Sequence, residues 1–332
     1  MDQRAKAVAL WTMAGASLSL QGPFWAVCFF ISPARRLIFI VNIPICVAGF
    51  LLSVRLNESE RHPHQGLDVS GQVLWMLALT TFITAIIEWH AKEIPHSLVL
   101  GFFLFSVIML LLFLWIEKKA GTPILPLEFF KAPVFNVLML FGVIVNNAYY
   151  GTVFVLSLYL QGVLHYDVVR AGLAFLPLTG GFVISNIASG RLTAKFGIRL
   201  PLLVGSLLAA AGYAGLLIAT PETPYWHLFI PFLVIPLGMG VAVPAMTTGI
   251  LSSVEKTRSG TASAVLNTSR QAAGAMGVAI FGAMAGGGAA GIASAVRVSG
   301  IISCGSLLVV AVLIYRYIWN KKTGREVRFK DW

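Results

Sequence analysis

The chain has 332 residues, of which 58% are hydrophobic and only 11% are charged. About a quarter of the residues in soluble globular domains are charged, so this composition excludes a soluble globule and predicts a polytopic membrane protein. The net charge of +11 comes from Lys and Arg at the ends of apolar runs, which fits membrane topology better than a nucleic-acid partner. Cys28, Cys46 and Cys304 lie inside apolar runs without ligand spacing, so neither a disulfide framework nor a metal site is predicted.

Apolar stretches of roughly 18 or more residues predict transmembrane helices. They recur along the whole sequence, separated by short polar or basic segments. The pattern predicts an all-α polytopic membrane protein with about ten transmembrane helices. These predicted spans are 7–31, 37–54, 70–88, 98–116, 134–161, 171–193, 200–219, 227–251, 261–284 and 299–319.

The distribution of basic residues between the spans predicts the orientation. With a cytoplasmic first terminus, the cytoplasmic segments hold most of the Lys and Arg residues. The outside segments then hold only Arg35, Arg36, Lys92, Arg170 and Arg297. Because basic residues accumulate in cytoplasmic loops, we expect both termini to be cytoplasmic.

The first two spans contain Gly22-Pro23 and, at residues 36–44, the block RLIFIVNIP. Taken alone, Gly22-Pro23 marks a kink, which membrane helices tolerate. Both stretches resemble the fifth and sixth spans of the fourteen-span drug:proton antiporter branch of the major facilitator superfamily. In that branch two glycines follow the Gly-Pro pair, whereas Ala26 and Val27 stand there in this chain. The close helix contact that those glycines allow is therefore not implied.

A polar linker at residues 55–69 precedes the two spans that end at Glu88 and Glu117. In the branch that the chain resembles, two spans at this place form an extra pair inserted between the two six-helix halves. We interpret Glu88 as an interfacial side chain that reaches water rather than as a transport residue.

The fifth span contains a polar cluster near its middle, and its sequence resembles the start of the second half of these transporters. An unpaired amide in a membrane span costs free energy, so each must face a partner or a wet cavity. Hydrogen bonding between helices and contact with a substrate remain alternative interpretations. The candidate cavity residues in this span are Asn146, Asn147, Tyr150 and Gln161.

A basic turn follows the sixth span. Gly190 and Gly197 flank this turn, where the absence of a Cβ allows a tight reversal or a close helix contact, and Arg199 ends it. With Leu192, these residues resemble the second-half copy of the superfamily's signature loop. Ala194 stands where the first-half copy carries Asp, so the charge-relay role of that Asp is not implied. A turn that only sets the topology is the alternative interpretation.

The ninth span begins with GTASAVLNTSRQAAGAMG, the most specific motif in the chain. Helical spacing places Asn267, Arg270 and Gly274 on one face, with Gln271 four residues after Asn267 and Gly277 one turn beyond Gly274. The motif resembles that of the same antiporter branch. If the helix begins near Thr261, Arg270 lies roughly 13 Å along it, which makes it a functional-site candidate. The alternative is an Arg that reaches the cytoplasmic interface and anchors a gate.

The resemblance covers nearly the whole chain, but only two spans precede the inserted pair. We therefore expect a truncated gene, a misassigned start or a second chain that supplies four further spans. The resemblance implies four regions: the last two helices of the N-terminal bundle (1–54), the linker with two inserted helices (55–133), a six-helix C-terminal bundle (134–319) and a basic cytoplasmic tail (320–332).

The resemblance also implies a function. It predicts a proton-coupled multidrug efflux antiporter of the bacterial inner membrane that exports hydrophobic or cationic small molecules. The proton gradient is the energy source, and no cofactor is implied. Walker, HExxH and GxSxG motifs are absent from the sequence, so an enzyme is not predicted. The alternative is a non-transporting membrane remnant or scaffold. We expect this chain alone, without self-association or a partner subunit, not to transport.

Overall fold

The computed structural model describes residues 40, 42–54, 68–91, 94–120, 123 and 125–318. All regular secondary structure within these residues is helical. The predicted all-α polytopic fold class is confirmed. Gly22 and Pro23, the first predicted span and the tail at 320–332 lie outside the described residues.

Ten α-helices make up most of the described chain. A π-helical turn, Tyr159–Val163, directly follows the helix Pro133–Leu158, and 3-10 turns occupy Leu127–Lys131, Gly215–Ile218 and Lys256–Arg258. The α-helices are α1 (Asn42–Ser53), α2 (Val69–Ala91), α3 (His96–Lys119), α4 (Pro133–Leu158), α5 (Val168–Ala174), α6 (Leu176–Phe196), α7 (Arg199–Ala214), α8 (Tyr225–Ser252), α9 (Ser259–Ala283) and α10 (Gly288–Tyr317).

Seven helical segments of the described chain are long and apolar enough to cross a membrane. They are α2, α3, α4 with its π turn, α5 joined to α6, α7 with its 3-10 turn, α8 and α10. Helix α9 has 25 residues, and at 1.5 Å per residue its length of about 37 Å exceeds a bilayer core of about 30 Å. It is less apolar than the others because it carries Asn267, Arg270 and Gln271.

The last helix begins eleven residues before the predicted span at 299. Most of the Gly/Ala-rich segment between the predicted spans 261–284 and 299–319 is therefore helical, whereas the predicted spans left it as a connection. Only Met284–Gly287 connects α9 to α10, and Gly287 (φ 87°) and Gly288 (φ 74°) make the turn. The alanines that follow favour a helix, and Ala293 is already fully buried.

Helix α4 lies at the centre of the packing. It contacts α8, α9 and α10, while α8 also packs against α6 and α7, and α10 against α7. The α2–α3 hairpin packs against this bundle through α9. Helix α9 is therefore in contact with both α4 and the α2–α3 hairpin.

Glycine allows the backbones of α7 and α8 to touch. A Cβ placed on Gly205 would lie 2.5 Å from the carbonyl oxygen of Gly238 and 2.7 Å from the Cβ of Ala242. Small residues permit such contacts in membranes, where the hydrophobic effect does not drive helices together.

Hydrogen bonds join α6 to α8. The hydroxyls of Ser185 and Ser189 on α6 donate to carbonyl oxygens of α8 at 3.1 and 2.6 Å.

We expect Gly205→Val to destabilise the protein because the added carbons cannot fit between α7 and α8. Overpacking of this kind typically costs about 1–3 kcal/mol. The matched control is Gly305→Val on α10, since nothing lies within 4 Å of a Cβ built there. The thermal unfolding midpoint of the purified protein in detergent is the measurement. Equal midpoints for the two variants would contradict the close contact.

Candidate functional site

The contact between α4 and α9 is close enough to involve the two backbones. A Cβ on Gly277 would collide with the carbonyl oxygen of Asn147, and a Cβ on Gly151 would lie 2.5 Å from the carbonyl oxygen of Gly277. Both positions require glycine for this approach. The predicted motif residue Gly277 therefore lies at the tightest point between the two helices.

Two polar residues of α4 contact α9 beside these glycines. The Asn147 side-chain amide donates to the carbonyl oxygen of Ala273 at 3.3 Å. The Tyr150 ring lies over Gly274, where an added Cβ would be 2.8 Å from the ring. Tyr150 is nevertheless 44% exposed, so its other face remains open to the outside of the bundle.

The third polar residue of this cluster, Asn146, has a different environment. Its side chain is buried, and its amide donates within α4 to the carbonyl oxygen of Gly142 at 2.9 Å. The donor is satisfied by its own helix. Asn146 therefore stabilises the interior of the bundle and does not line the exposed side of α4.

Arg270 lies near the middle of α9. Because the helix begins at Ser259 rather than Thr261, Arg270 is about 17 Å along the axis rather than 13 Å. Its side chain is half-buried and passes beside Gly142 of α4. Its Nε is buried and has no hydrogen-bond partner within the described residues.

Asn267 and Gln271 are exposed on α9, on either side of Arg270. The nearest side-chain partner of the Asn267 amide is the Ser263 hydroxyl, at the long distance of 3.5 Å. Together with Tyr150 they form the α4/α9 polar face, which we define as Tyr150, Asn267, Arg270 and Gln271. Its amides, phenol and guanidinium can bind an anion or a polar group of a small molecule.

Gln161 does not belong to this face. It lies in the π turn, eleven residues after Tyr150 and so about 16 Å away along the axis. Its amide donates to the Ser157 hydroxyl and carbonyl oxygen at 3.0 and 3.2 Å.

The sequence did not predict the contact made by Tyr159. Its hydroxyl donates to the carbonyl oxygens of Thr220 and Thr223 at 2.6 and 3.1 Å, which links the π turn to the loop between α7 and α8.

The basic turn is tighter than the sequence suggested. Gly197 adopts a φ of 74° and ends α6, and α7 begins at Arg199. Gly190 lies inside α6 and not beside the turn, so that part of the prediction is corrected. The Arg199 guanidinium carbon lies 5.3 Å from the ring centroid of Tyr315 on α10, which links the turn to the last helix.

An ion pair that the sequence did not predict joins the starts of α4 and α9. Arg258 Nη1 donates to Glu128 Oε2 at 2.8 Å, and both side chains are largely exposed. This hydrogen bond and the charge of Arg258 lower the pKa of Glu128. The bridge is therefore present at neutral pH and is lost only as the pH falls through that lowered pKa. The two residues are separated by 130 positions, which no local pattern can connect.

The chain is similar in sequence to known proteins. The family model described as Major Facilitator Superfamily matches residues 1–278. A methylenomycin A resistance protein of Bacillus subtilis is 32% identical over 286 residues, which cover 85% of this chain and 61% of the relative. The drug efflux pump JefA of Mycobacterium tuberculosis is 27% identical over 284 residues, covering 84% of this chain and 55% of the pump.

A third relative, the puromycin resistance protein pur8 of Streptomyces alboniger, is 32% identical over 302 residues, covering 83% of this chain and 58% of the relative. The chain therefore spans between about one half and three fifths of the length of these relatives.

Within the described residues, no group of three or more His, Cys, Asp or Glu side chains could hold a metal ion.

Thiol labelling can test whether water reaches the α4/α9 polar face. In a variant lacking Cys28, Cys46 and Cys304, we expect Asn267→Cys to react with a membrane-impermeant maleimide, because a thiol must be hydrated to ionise. Ala273→Cys on the same helix is the matched control, since Ala273 is 3% exposed and faces α4. We expect at least a tenfold difference in rate. Equally slow labelling from both sides of the membrane would contradict a wet face.

Proposed function

Because the chain belongs to the Major Facilitator Superfamily, a family of transporters and not of enzymes, we propose that it exports small molecules from a bacterial cell. The substrates are hydrophobic or cationic compounds, and proton entry drives their export. The protein lies in the inner membrane, with both termini in the cytoplasm. The relatives named as resistance proteins and as a drug efflux pump support the export of drug-like compounds.

The observation that carries the proposal is Arg270 at mid-depth in α9, beside exposed Asn267 and Gln271. An unsatisfied polar group in hydrocarbon costs about one to several kcal/mol, and a guanidinium costs more. Such a face is stable only against water or other polar groups. A wet cavity that admits a small molecule satisfies this requirement, and the phenol of Tyr150 at its edge adds an aromatic surface for an apolar or cationic compound.

We further propose that the α4/α9 polar face works against a second set of helices. Transporters of this architecture move substrate by rocking two bundles about a central site. Within the described residues the polar face remains exposed, and the chain spans only 61% of the methylenomycin A resistance protein. A second copy of the chain or another polypeptide would supply the opposing bundle, with residues 134–319 acting as one bundle and residues 55–133 as the insert.

Dye extrusion from an efflux-deficient host tests the function. We expect weak extrusion by this chain alone and uncoupler-sensitive extrusion when it is fused to the part of the methylenomycin A resistance protein that its sequence does not match. In that fusion Arg270→Leu should lower the rate at least tenfold, because the charge at the centre of the site is lost. Arg297→Leu on α10 is the matched control, since Arg297 is exposed outside the polar face, and we expect it to leave the rate unchanged.

The possible outcomes separate the two proposals. Robust extrusion by this chain alone would contradict the need for a second bundle. No extrusion by either form, with both present in the membrane, would contradict transport and favour a scaffold. Equal losses for Arg270→Leu and Arg297→Leu would show that the polar face is not the site.

The orientation has its own test. Thr223 and Arg258 lie beyond opposite ends of α8, so reporters fused after them should lie on opposite sides of the membrane. The excess of basic residues predicts a periplasmic signal after Thr223 and a cytoplasmic one after Arg258. Alkaline phosphatase and green fluorescent protein fusions provide the two readouts. The reversed pattern would overturn the proposed orientation.

A further inference from the structure

The outward side of α3 carries an apolar groove at a distance from the α4/α9 polar face. Four side chains line it: Ile108, Leu111, Leu112 and Trp115. Their spacing of three, four and seven residues places them on one face of the helix. The groove has a volume of about 370 Å³, and each of its side chains is more than two-fifths exposed.

Two cations lie at one end of this groove. Lys118 and Lys119 occupy the last turn of α3 and are exposed. The Lys119 ammonium lies 3.8 Å from the centroid of the Trp115 ring. Neither lysine forms a salt bridge within the described residues. The side chain of the preceding residue, Glu117, is only 3% exposed and accepts a hydrogen bond from the Leu125 amide at 3.3 Å.

The distances fit the depth of one leaflet. Ile108 and Trp115 are seven residues apart, which is about 10 Å along the axis and less than the roughly 15 Å of hydrocarbon in half a bilayer. Trp115 then lies near the level where Trp is enriched, at the membrane interface. Lys118 and Lys119 follow within one turn, at the depth of the headgroups. The negative end of the helix dipole accounts for two cations in the last turn of α3. It does not account for the apolar groove that lies next to these lysines.

We propose that this groove binds an anionic glycerophospholipid. One acyl chain lies along Ile108, Leu111 and Leu112, the glycerol region contacts Trp115, and the phosphate binds Lys118 and Lys119. A net negative headgroup is selected because these two ammonium groups, which have no carboxylate partner among the described residues, attract it, and each basic residue near the surface adds to the affinity. A zwitterionic lipid has the same acyl chains, but its own cation repels the lysines.

A second copy of the chain fits this groove less well. In a two-fold dimer about the membrane normal the same patch meets itself. The lysine pairs of both copies would then lie at the same depth and repel each other, whereas a phosphate neutralises them.

Native mass spectrometry of the purified full chain can test the proposal, with phosphatidylglycerol and phosphatidylcholine of identical acyl chains as the competing probes. We expect preferential binding of phosphatidylglycerol, and a decrease in its preference of at least fivefold in Lys118→Gln/Lys119→Gln. The matched control is Lys131→Gln/Lys256→Gln, which removes two exposed lysines near the starts of α4 and α9. We expect this control to retain the preference.

A second variant separates the groove from the charge. Leu111→Ser should weaken binding of both lipids, because it removes apolar contact along the acyl chain while both lysines remain. An equal loss of preference in the two lysine double variants would overturn the site in favour of general surface charge. No loss in Lys118→Gln/Lys119→Gln, or a protein dimer that Leu111→Ser dissociates, would also overturn it.

Discussion

The backbone contact between α4 and α9 is the constraint on which the candidate site depends. Gly151 and Gly277 let the two helices approach until no Cβ fits between them. This approach brings the Asn147 amide within 3.3 Å of the Ala273 carbonyl oxygen and places the Tyr150 ring over Gly274. With larger residues at these positions the helices would separate, and Arg270 would lose its position beside α4. The polar face is thus a product of packing between small residues.

Two kinds of helix contact hold the described chain together. Within the bundle, α4/α9 and α7/α8 rely on glycines, because lipid gives helices little hydrophobic reason to associate. The α2–α3 hairpin relies instead on aromatic side chains, such as Trp75 against Phe113 at 5.3 Å and Phe82 against Phe103 at 5.8 Å. A glycine contact is stiff because no side chain can yield, whereas an aromatic contact can adjust.

The sequence predicted the described spans from α2 to α9 because long apolar runs depend only on local composition. The predicted start of the last span was wrong, because residues 288–298 are helical: their alanines favour a helix although several glycines interrupt them. The predicted position of Gly190 beside the turn was also wrong, because Gly190 lies inside α6. The sequence singled out Asn146 and Asn147 together. Only tertiary packing distinguishes them: the Asn146 amide hydrogen-bonds within its own helix, whereas the Asn147 amide hydrogen-bonds to α9. The Arg258–Glu128 bridge depends on contacts between distant segments and has no local signal.

Helix α9 joins these features into one functional unit. Its polar residues make it the least suited of the long described helices to cross a membrane alone, so it is stable because α4 covers one side and α2 another. The α2–α3 hairpin therefore contacts the helix that carries Arg270. A movement of α9 that opens or closes the polar face must be accommodated at both contacts. Between α4 and α9 no side chain can yield at Gly151 and Gly277, so we expect α9 to move together with α4.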